Sequence, residues 1–291
     1  MKDVTGKTAV CGLIGNPVEH TLSPLIHNTL SQLLGMELVY VPFLVEEERV
    51  GEAVKGAYAL NIKGLNATVP HKSAVIPHLC AVDELAARIG AVNTLVRMDG
   101  GYKGYNTDMP GLYRQLQSEG VELAGKEVIL LGAGGAARAV AFMCVQYGAQ
   151  KVYILNRTLE KAQAVAKEVN ESFGKECLIP MALSDYHRIP KKKYLVIQGT
   201  SIGLSPNVDD VVIDDPEFYE LVETGVDLIY KPAETKFMKL VKATGAKAYN
   251  GLKMLLYQGI IAYELWNDIA IPNEMAEVVY QRMKEVLEDE K

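Results

Sequence analysis

The sequence has few of the features that mark secreted proteins. Its 291 residues include only four cysteines, Cys11, Cys80, Cys144 and Cys177, and none of them belongs to a Cys-x-x-Cys pair. The first six residues contain no apolar run of the kind found in signal peptides. Widely spaced cysteines without a pairing pattern are typical of reduced thiols. We therefore expect a cytoplasmic protein with free, mostly buried cysteines.

Long hydrophobic runs and blocks of basic residues are also missing. No segment approaches the roughly 20 apolar residues that a membrane-spanning helix needs. The net charge is -6, and acidic and basic residues are interspersed, whereas a nucleic-acid surface needs clustered lysine and arginine. The longest basic run, Lys191 to Lys193, precedes an apolar segment and indicates an exposed loop before a strand. We therefore expect neither a membrane nor a nucleic-acid partner.

The chain does contain a regular alternation of short β-rich segments and amphipathic segments. This pattern predicts an α/β protein with mostly parallel sheets, and the length suits two domains. Strands are predicted at 8–14, 38–44, within 60–69, and at 91–98, 126–131, 151–155, 194–198 and 226–229. Helices are predicted from Ser23, as N-cap before Pro24, and at 46–58, 110–119, 136–147, 159–171 and continuously from 252 to the end.

A glycine-rich turn follows the strand predicted at 126–131. The turn and the helix start consist of Gly132, Ala133, Gly134, Gly135, Ala136 and Ala137. Gly132 permits a sharp turn, Gly134 lets the backbone approach a pyrophosphate, and Ala137 takes the small third position of the pattern. The helix N-terminus offers free N–H groups to phosphates. The segment predicts a dinucleotide site, and a tight turn without a ligand is the alternative.

The end of the next predicted strand distinguishes between two dinucleotides. NAD sites usually carry Asp or Glu there, hydrogen-bonded to the ribose 2′-hydroxyl. This sequence instead has Asn156, Arg157 and Thr158, and Lys161 follows one helical turn later. A guanidinium attracts a 2′-phosphate and can bind it with two hydrogen bonds, so we predict NADP. In the alternative interpretation Arg157 and Lys161 are solvated surface cations.

Polar segments interrupt the apolar pattern elsewhere, mainly where strands are predicted to end and where ligands of α/β sheets usually bind. A family resemblance is carried by eight blocks in order along the chain: 15–27, 66–72, 90–94, 106–108, 132–137, 156–158, 227–232 and 250–258. In these blocks the sequence resembles the shikimate dehydrogenases, the family that includes quinate/shikimate dehydrogenases. The resemblance covers essentially the whole chain. Each block alone is moderately specific, whereas all of them in order are highly specific.

The resemblance implies a reversible, NADP-dependent reduction of 3-dehydroshikimate to shikimate, on the route to chorismate and the aromatic amino acids. It implies a substrate domain at 1–109 and 252–291, on which the C-terminal helices pack, and a Rossmann-type NADP domain at 110–251. Lys72 and Asp108 would form the catalytic pair at the substrate C3 hydroxyl, with hydride passing between C3 and C4 of the nicotinamide. The substrate-binding residues would be Thr21, Ser23, Asn66, Thr68, Lys72, Asn93, Asp108, Tyr230 and Gln258. Gly251 would join the cofactor-binding residues.

The implied chemistry needs such a pair, because the alcohol must lose a proton as hydride leaves. Which of Lys72 and Asp108 carries the proton stays open, and a plain surface ion pair is the alternative for both. For Gln258 the alternative is the polar face of a helix. The chain could be a monomer or a homodimer.

Thr21 departs from the Ser-x-Ser pattern that many shikimate enzymes carry at the carboxylate site. Threonine keeps the hydroxyl but adds a methyl group and a stiffer χ1. Quinate bears an extra hydroxyl at C1, beside the carboxylate, so a quinate or dual quinate/shikimate enzyme with relaxed use of NAD and NADP is an alternative. A regulator that binds NADP and shikimate without turnover is the alternative from a different class.

Three histidines, His20, His27 and His71, lie near the polar segments. They lack the ligand spacing of a zinc site, and the implied chemistry requires no metal. We expect these histidines to pack or to hydrogen-bond, and we expect no metal.

Overall fold

The computed structural model describes residues 4–289, which divide into two compact units. One unit comprises residues 4–111 and 255–289, and the other comprises residues 112–254. The boundaries predicted from the sequence, at 110 and 252, lie within three residues of these. Both boundaries fall inside helices, so no change in composition marks them.

The first unit is built on a six-stranded sheet. Its elements are β1 (Ala9–Gly15), α1 (Ser23–Leu33), β2 (Leu38–Leu44), α2 (Val50–Ala59), β3 (Gly64–Ala67), α3 (His71–Ala74), β4 (Ala81–Val82), α4 (Glu84–Ile89), β5 (Thr94–Met98), β6 (Gly101–Tyr105) and the start of α5 (Asp108–Ser118). The strand order is β2-β1-β3-β5-β6-β4, with β5 antiparallel to both of its neighbours and the other pairs parallel.

The second unit contains a six-stranded sheet in which every pair is parallel. Its elements are β7 (Glu127–Leu131), α6 (Gly135–Gln146), β8 (Lys151–Asn156), α7 (Leu159–Phe173), β9 (Leu178–Ala182), β10 (Tyr194–Gln198), α8 (Pro216–Tyr219), β11 (Val222–Asp227), α9 (Lys236–Ala243) and β12 (Lys247–Tyr249). The strand order β12-β11-β10-β7-β8-β9 is that of a Rossmann fold, with β7 where the order reverses. The predicted fold class, α/β with mostly parallel sheets and a Rossmann-type unit, is confirmed.

Strand β7 shows why the sequence folds in this way. Val128, Ile129, Leu130 and Leu131 are completely buried. A parallel strand covered by helices on both faces is a continuous apolar run and does not alternate. The strand ends at Gly132, which places the glycine turn at the switch point of the sheet, where α/β proteins bind ligands.

The last two helices are α10 (Leu252–Asn267) and α11 (Asn273–Asp289). Residues 255–289 belong to the first unit, where α11 lies against α1 and Arg282 donates a hydrogen bond to Thr29 Oγ1 (3.0 Å). The prediction that C-terminal helices pack on the N-terminal domain is confirmed. Among residues 4–289, no helix combines the length and the apolar character of a membrane span.

Three local predictions were wrong. Leu22, and not Ser23, is the N-cap of α1, because the Ser23 hydroxyl accepts a hydrogen bond from Thr21 Oγ1 (3.0 Å) instead of capping the helix. The C-terminal helix is interrupted between Asn267 and Asn273, where Asp268 is left-handed (φ 52°) and Pro272 cannot continue a helix. All four cysteines are free, but only Cys11 and Cys144 are buried.

Candidate active site

Lys72 and Asp108 form an ion pair in the first unit. Lys72 lies in α3, just after β3, and Asp108 is the first residue of α5. The Lys72 Nζ–Asp108 Oδ2 distance is 2.7 Å, and the two side chains are 35% and 19% exposed. The Asn106 amide oxygen accepts hydrogen bonds from the backbone N–H groups of Asp108 (3.1 Å) and Met109 (3.3 Å), which fixes the start of the helix. The pair is thus held firmly and is still open to a small ligand.

Asn93 holds the second oxygen of the Asp108 carboxylate. Its Nδ2 donates to Asp108 Oδ1 (2.9 Å), and its Oδ1 accepts from the backbone N–H of Thr107 (2.7 Å). A backbone N–H can only donate, so this contact identifies the Asn93 oxygen and directs the NH₂ group toward Asp108. Gln258 Oε1 lies 3.4 Å from the same NH₂ group, while Gln258 Nε2 donates to Leu255 O (2.8 Å).

Asn66 is next to Asn93, and both the oxygen and the nitrogen of its side-chain amide are hydrogen-bonded within the protein. Its oxygen accepts from Tyr40 Oη (2.7 Å), and its nitrogen donates to Asn93 O and Thr94 Oγ1 (both 3.0 Å). Burial raises the pKa of Tyr40 well above its ordinary value, and a hydrogen bond with Ser23 opposes that shift. Tyr40 therefore supports Asn66, which in turn bonds to Asn93 beside the Lys72–Asp108 pair, and neither Tyr40 nor Thr107 was singled out from the sequence.

The hydroxyls of Thr21 and Ser23 are adjacent, as their spacing indicates. Thr21 Oγ1 donates to Ser23 Oγ (3.0 Å) and accepts from the backbone N–H of Ser23 (3.2 Å). Thr68 follows β3, and a Cβ at Gly15 would lie 2.4 Å from its Cγ2, so the glycine at the end of β1 makes room for this threonine. Five predicted substrate residues of the first unit (Asn66, Asn93, Asp108, Lys72 and Gln258) share one hydrogen-bonded polar cluster.

The three histidines have different surroundings. His20 is exposed, and the His71 ring is buried with Nε2 2.8 Å from Val45 O. His27 is completely buried and stacks on Tyr40 with ring centroids 4.2 Å apart, and its ring nitrogens have no hydrogen-bond partner within residues 4–289. In the same part of the chain, no three His, Cys, Asp or Glu side chains are grouped in a way that could hold a metal ion.

Replacing His27 by phenylalanine should reduce the loss of stability in acid. Burial lowers the pKa of His27 from 6.5 to about 3. Below pH 6.5 the unfolded chain binds a proton that the folded chain does not, so stability is complete above that pH and falls as the pH drops toward 3. The expected loss is about 2 kcal/mol at pH ~5. Phenylalanine keeps the stacked ring and removes the titration.

Urea unfolding at neutral and acidic pH measures this effect. His20→Gln is the matched control, because the His20 ring is exposed, and it should keep the pH dependence of the unsubstituted protein. The same acid loss in His27→Phe as in the unsubstituted protein would contradict the prediction.

The glycine turn of the second unit lines a groove of about 880 Å³. Gly132 has φ 110°, and an added Cβ would lie 2.7 Å from Thr200 Cγ2, so only glycine fits there. Added Cβ atoms at Gly134 and Gly135 would meet nothing within 4 Å. The first N–H groups of α6 have no acceptor within the helix, and in this groove they can bind an anion.

Most residues predicted for the cofactor converge on this groove. They are Gly132, Ala133, Gly134, Gly135, Ala136, Asn156, Arg157, Thr158 and Lys161. Arg157 and Lys161 are exposed, and neither has a salt-bridge partner among residues 4–289. Asn156 Nδ2 donates to Thr158 O (2.8 Å) and so shapes the loop that carries Arg157. The groove thus has unpaired positive charge at one end and free N–H groups at the turn.

Two predicted cofactor residues do not line this groove. Ala137 is completely buried, and a Cβ added at Gly199 would lie 3.1 Å from the Ala137 Cβ. The small Ala137 side chain therefore allows α6 to pack closely on the end of β10. An added Cβ at Gly251 would lie 2.2 Å from Leu228 O, so Gly251 serves a close backbone contact. Tyr230, predicted for the substrate, lines the groove together with the loops after β10 and β11. The carboxyl ends of those strands were the signal that could have identified both loops.

Two buried side chains hold these loops. Asp227 Oδ1 accepts from Gln198 Nε2 (3.2 Å) and from the backbone N–H of Ile229 (3.0 Å), and its Oδ2 accepts from Thr235 Oγ1 (2.6 Å). Gln198 also accepts from the backbone N–H of Thr200 (2.5 Å) and donates to Ile202 O (3.1 Å). Burial raises the pKa of Asp227 to about 6. Nothing in the sequence pattern singles out Gln198 or Thr235.

Comparison with known proteins identifies the family. Residues 13–95 match the shikimate dehydrogenase substrate binding domain, and residues 114–202 match the shikimate / quinate 5-dehydrogenase model. A shikimate dehydrogenase (NADP(+)) of Desulforamulus reducens is 44% identical over 275 residues, which cover 92% of this chain and 93% of that protein.

Solved structures agree with this result. A crystal structure of a shikimate dehydrogenase in complex with NADP+ has a TM-score of 0.86 and 38% identity, and covers 97% of both chains. The shikimate 5-dehydrogenase of Thermus thermophilus in complex with NADP(H) and shikimate has a TM-score of 0.81 and 34% identity, over 94% of this chain and 99% of that one. The chain therefore belongs to the shikimate dehydrogenase family.

Proposed function

We propose that the chain is an NADP-dependent shikimate dehydrogenase, which interconverts 3-dehydroshikimate and shikimate in the biosynthesis of chorismate and aromatic amino acids. The observation that carries this proposal is the Lys72–Asp108 pair (2.7 Å) at the edge of a buried amide and hydroxyl cluster. A small polyol acid suits such a cluster, since each of its hydroxyls needs a partner once it leaves water. The family and its NADP-dependent members agree with the same activity.

Lys72 and Asp108 act on the C3 hydroxyl of shikimate. Oxidation removes the hydroxyl proton while the C3 hydrogen leaves as hydride, and reduction of the ketone reverses both movements. An amine and a carboxylate 2.7 Å apart can exchange that proton and orient the oxygen. Asn93 holds the Asp108 carboxylate from its other oxygen, so the pair is positioned before the substrate arrives.

The remaining polar residues recognise the acid. Thr21 and Ser23 donate their adjacent hydroxyls to the carboxylate. Thr68, Asn93 and Gln258 bind the ring hydroxyls, with Asn66 and Tyr230 lining the site. Because the Asn66 amide is already bonded to Tyr40, Asn93 and Thr94, it mainly supports the others.

The groove of the second unit fits NADP. The free N–H groups at the start of α6, with the turn residues 132–136, would hold the pyrophosphate. Ala137 and Gly251 would support the site from outside the groove, through the close backbone packing that their small size allows. Asn156, Arg157, Thr158 and Lys161 bind the 2′-phosphate, which meets the unpaired guanidinium and ammonium groups there. NADP held there would supply the hydride acceptor for oxidation and the hydride donor for reduction. The four free thiols suit the reducing cytoplasm, where the protein acts as a monomer or a homodimer.

Steady-state kinetics with shikimate or quinate, each with NADP+ or NAD+, tests the proposal. We expect the highest kcat/KM for shikimate with NADP+, followed by the near-ultraviolet absorbance of NADPH. A preference for quinate would identify the alternative enzyme, for which the extra methyl group of Thr21 is the structural argument. Binding of NADP+ and shikimate without turnover would identify the non-catalytic regulator and overturn the proposal.

A further inference from the structure

Gly111 lies in α5, one turn after Asp108, and is buried against α10. A Cβ added at Gly111 would lie 2.7 Å from Gln258 N, 2.9 Å from Gln258 Cβ and 3.0 Å from Gln258 Cα. Two of these three atoms belong to the backbone of α10, so no side-chain rotation could relieve the contact. Glycine is an unfavourable residue within a helix, and a close approach of two backbones is a physical reason for it to stand there.

The residue that Gly111 contacts belongs to the polar cluster. Gln258 Nε2 donates to Leu255 O of its own helix (2.8 Å), which directs Oε1 toward Asn93 Nδ2 at 3.4 Å. Asn93 Nδ2 also donates to Asp108 Oδ1 (2.9 Å). Gln258 and Asp108 thus both contact the side-chain amide of Asn93. The contact between Gln258 Oε1 and Asn93 Nδ2, at 3.4 Å, is already near the limit of a hydrogen bond.

We propose that Gly111 is a positioning residue for this active site: its missing side chain sets the separation of α5 and α10 and so delivers Gln258 to Asn93 and the substrate hydroxyls. A larger residue forces α10 away from Gly111 and withdraws the Gln258 amide from the cluster. This inference rests on the proposed shikimate dehydrogenase activity. It assigns a catalytic consequence to a residue that touches neither the substrate nor the cofactor.

Gly56 provides a matched control for the substitution. It also lies within a helix, α2, but it is exposed, and an added Cβ would meet nothing within 4 Å. Gly56→Ala therefore introduces the same methyl group into a helix without any contact. It should leave kcat/KM for shikimate within about 2-fold of the unsubstituted protein.

The test measures kcat and KM for shikimate, and the dissociation constant of NADP+, in Gly111→Ala, Gly56→Ala, Gln258→Ala and the double variant Gly111→Ala/Gln258→Ala. We expect Gly111→Ala to lower kcat/KM by about 10- to 100-fold, since small displacements of positioning groups have effects of that size. The NADP+ dissociation constant should stay unchanged. In the Gln258→Ala background, Gly111→Ala should lower kcat/KM further by less than about 3-fold, because the amide that it displaces is already absent.

The outcomes separate the two proposals. Inactivity of the unsubstituted protein and of Gly56→Ala would contradict the proposed function itself. The positioning role alone would be overturned if Gly111→Ala had the same kcat/KM as the unsubstituted protein. It would also be overturned if the loss of kcat/KM in the double variant equalled the product of the losses in Gly111→Ala and Gln258→Ala. If circular dichroism shows that Gly111→Ala does not fold, Gln258→Asn carries the test, because it withdraws the amide from Asn93 by one methylene. Unchanged kinetics in that variant would overturn the inference.

Discussion

Lys72→Ala should abolish most turnover of shikimate while NADP+ binds normally. We expect kcat to fall by about 10²- to 10⁴-fold, the usual contribution of a positioned proton-transfer group. Lys72 Nζ is 2.7 Å from Asp108 and partly exposed, so the substitution removes the ammonium without opening the buried core. The NADP+ dissociation constant, measured by titration calorimetry, should stay within about 2-fold because the groove lies in the other unit.

Lys63→Ala is the matched control for this loss. Lys63 also belongs to the first unit and donates to a side chain, Asn267 Oδ1 (2.7 Å), but it lies outside the polar cluster. Its removal deletes a lysine and one hydrogen bond without touching the proposed chemistry, and kcat should change by less than about 2-fold. Normal turnover in Lys72→Ala would show that Lys72 has no part in the proton transfer.

Asp108→Asn extends the same prediction. The Lys72–Asp108 pair acts as a unit, so the double variant Lys72→Ala/Asp108→Asn should be little slower than the worse single variant. Losses that multiply would mean that the two side chains act independently.

Patterns that depend on neighbours along the chain were visible in the sequence. The apolar run at 128–131 predicted the central strand, and the glycines after it predicted the turn at the switch point. Arg157 could be singled out because the position after the second strand has a defined neighbour in every Rossmann fold. The structure brings the glycines of the turn and Arg157 to one groove.

Residues whose contribution depends on distant partners could not be found in that way. Tyr40 matters because its hydroxyl reaches Asn66, 26 positions away, and Gln198 matters because its amide reaches Asp227 on the neighbouring strand. Both residues lie in strands, where the sequence pattern assigns them simply to the sheet. Gly111 carries no chemistry of its own, and its importance comes from its contact with the backbone of Gln258, far along the chain. Such contacts are properties of the tertiary structure alone.

The local errors have the same origin. The sequence Thr21-Leu22-Ser23-Pro24 fits a serine N-cap, but the Ser23 hydroxyl bonds to the Thr21 hydroxyl instead of capping the helix. Residues 268–272 interrupt the helical pattern, because Asp268 is left-handed and Pro272 cannot continue a helix.

Arg157→Ala should weaken the binding of NADP+ by about 10- to 100-fold, because it removes a guanidinium that has no other salt-bridge partner among residues 4–289. NAD+ lacks the 2′-phosphate, so its dissociation constant should change by less than about 2-fold, and discrimination between the cofactors should fall accordingly. Lys161→Ala should have a smaller effect of about 2- to 5-fold, because an exposed ammonium is a point charge without the paired geometry of arginine. Titration of both cofactors in each variant measures these changes.

Lys167→Ala separates a specific phosphate contact from a general loss of positive charge. Lys167 lies on α7 with Lys161, but it is exposed, is 3.9 Å from Glu171 and does not line the groove. Its removal should leave both dissociation constants unchanged, whereas the loss in Arg157→Ala should shrink as salt screens the charge. If Arg157→Ala weakened the binding of NAD+ and NADP+ equally, the arginine would stabilise the loop between β8 and α7 and would not bind the 2′-phosphate. The distinction decides whether the preference for NADP resides in one charged side chain or in the backbone of the whole groove.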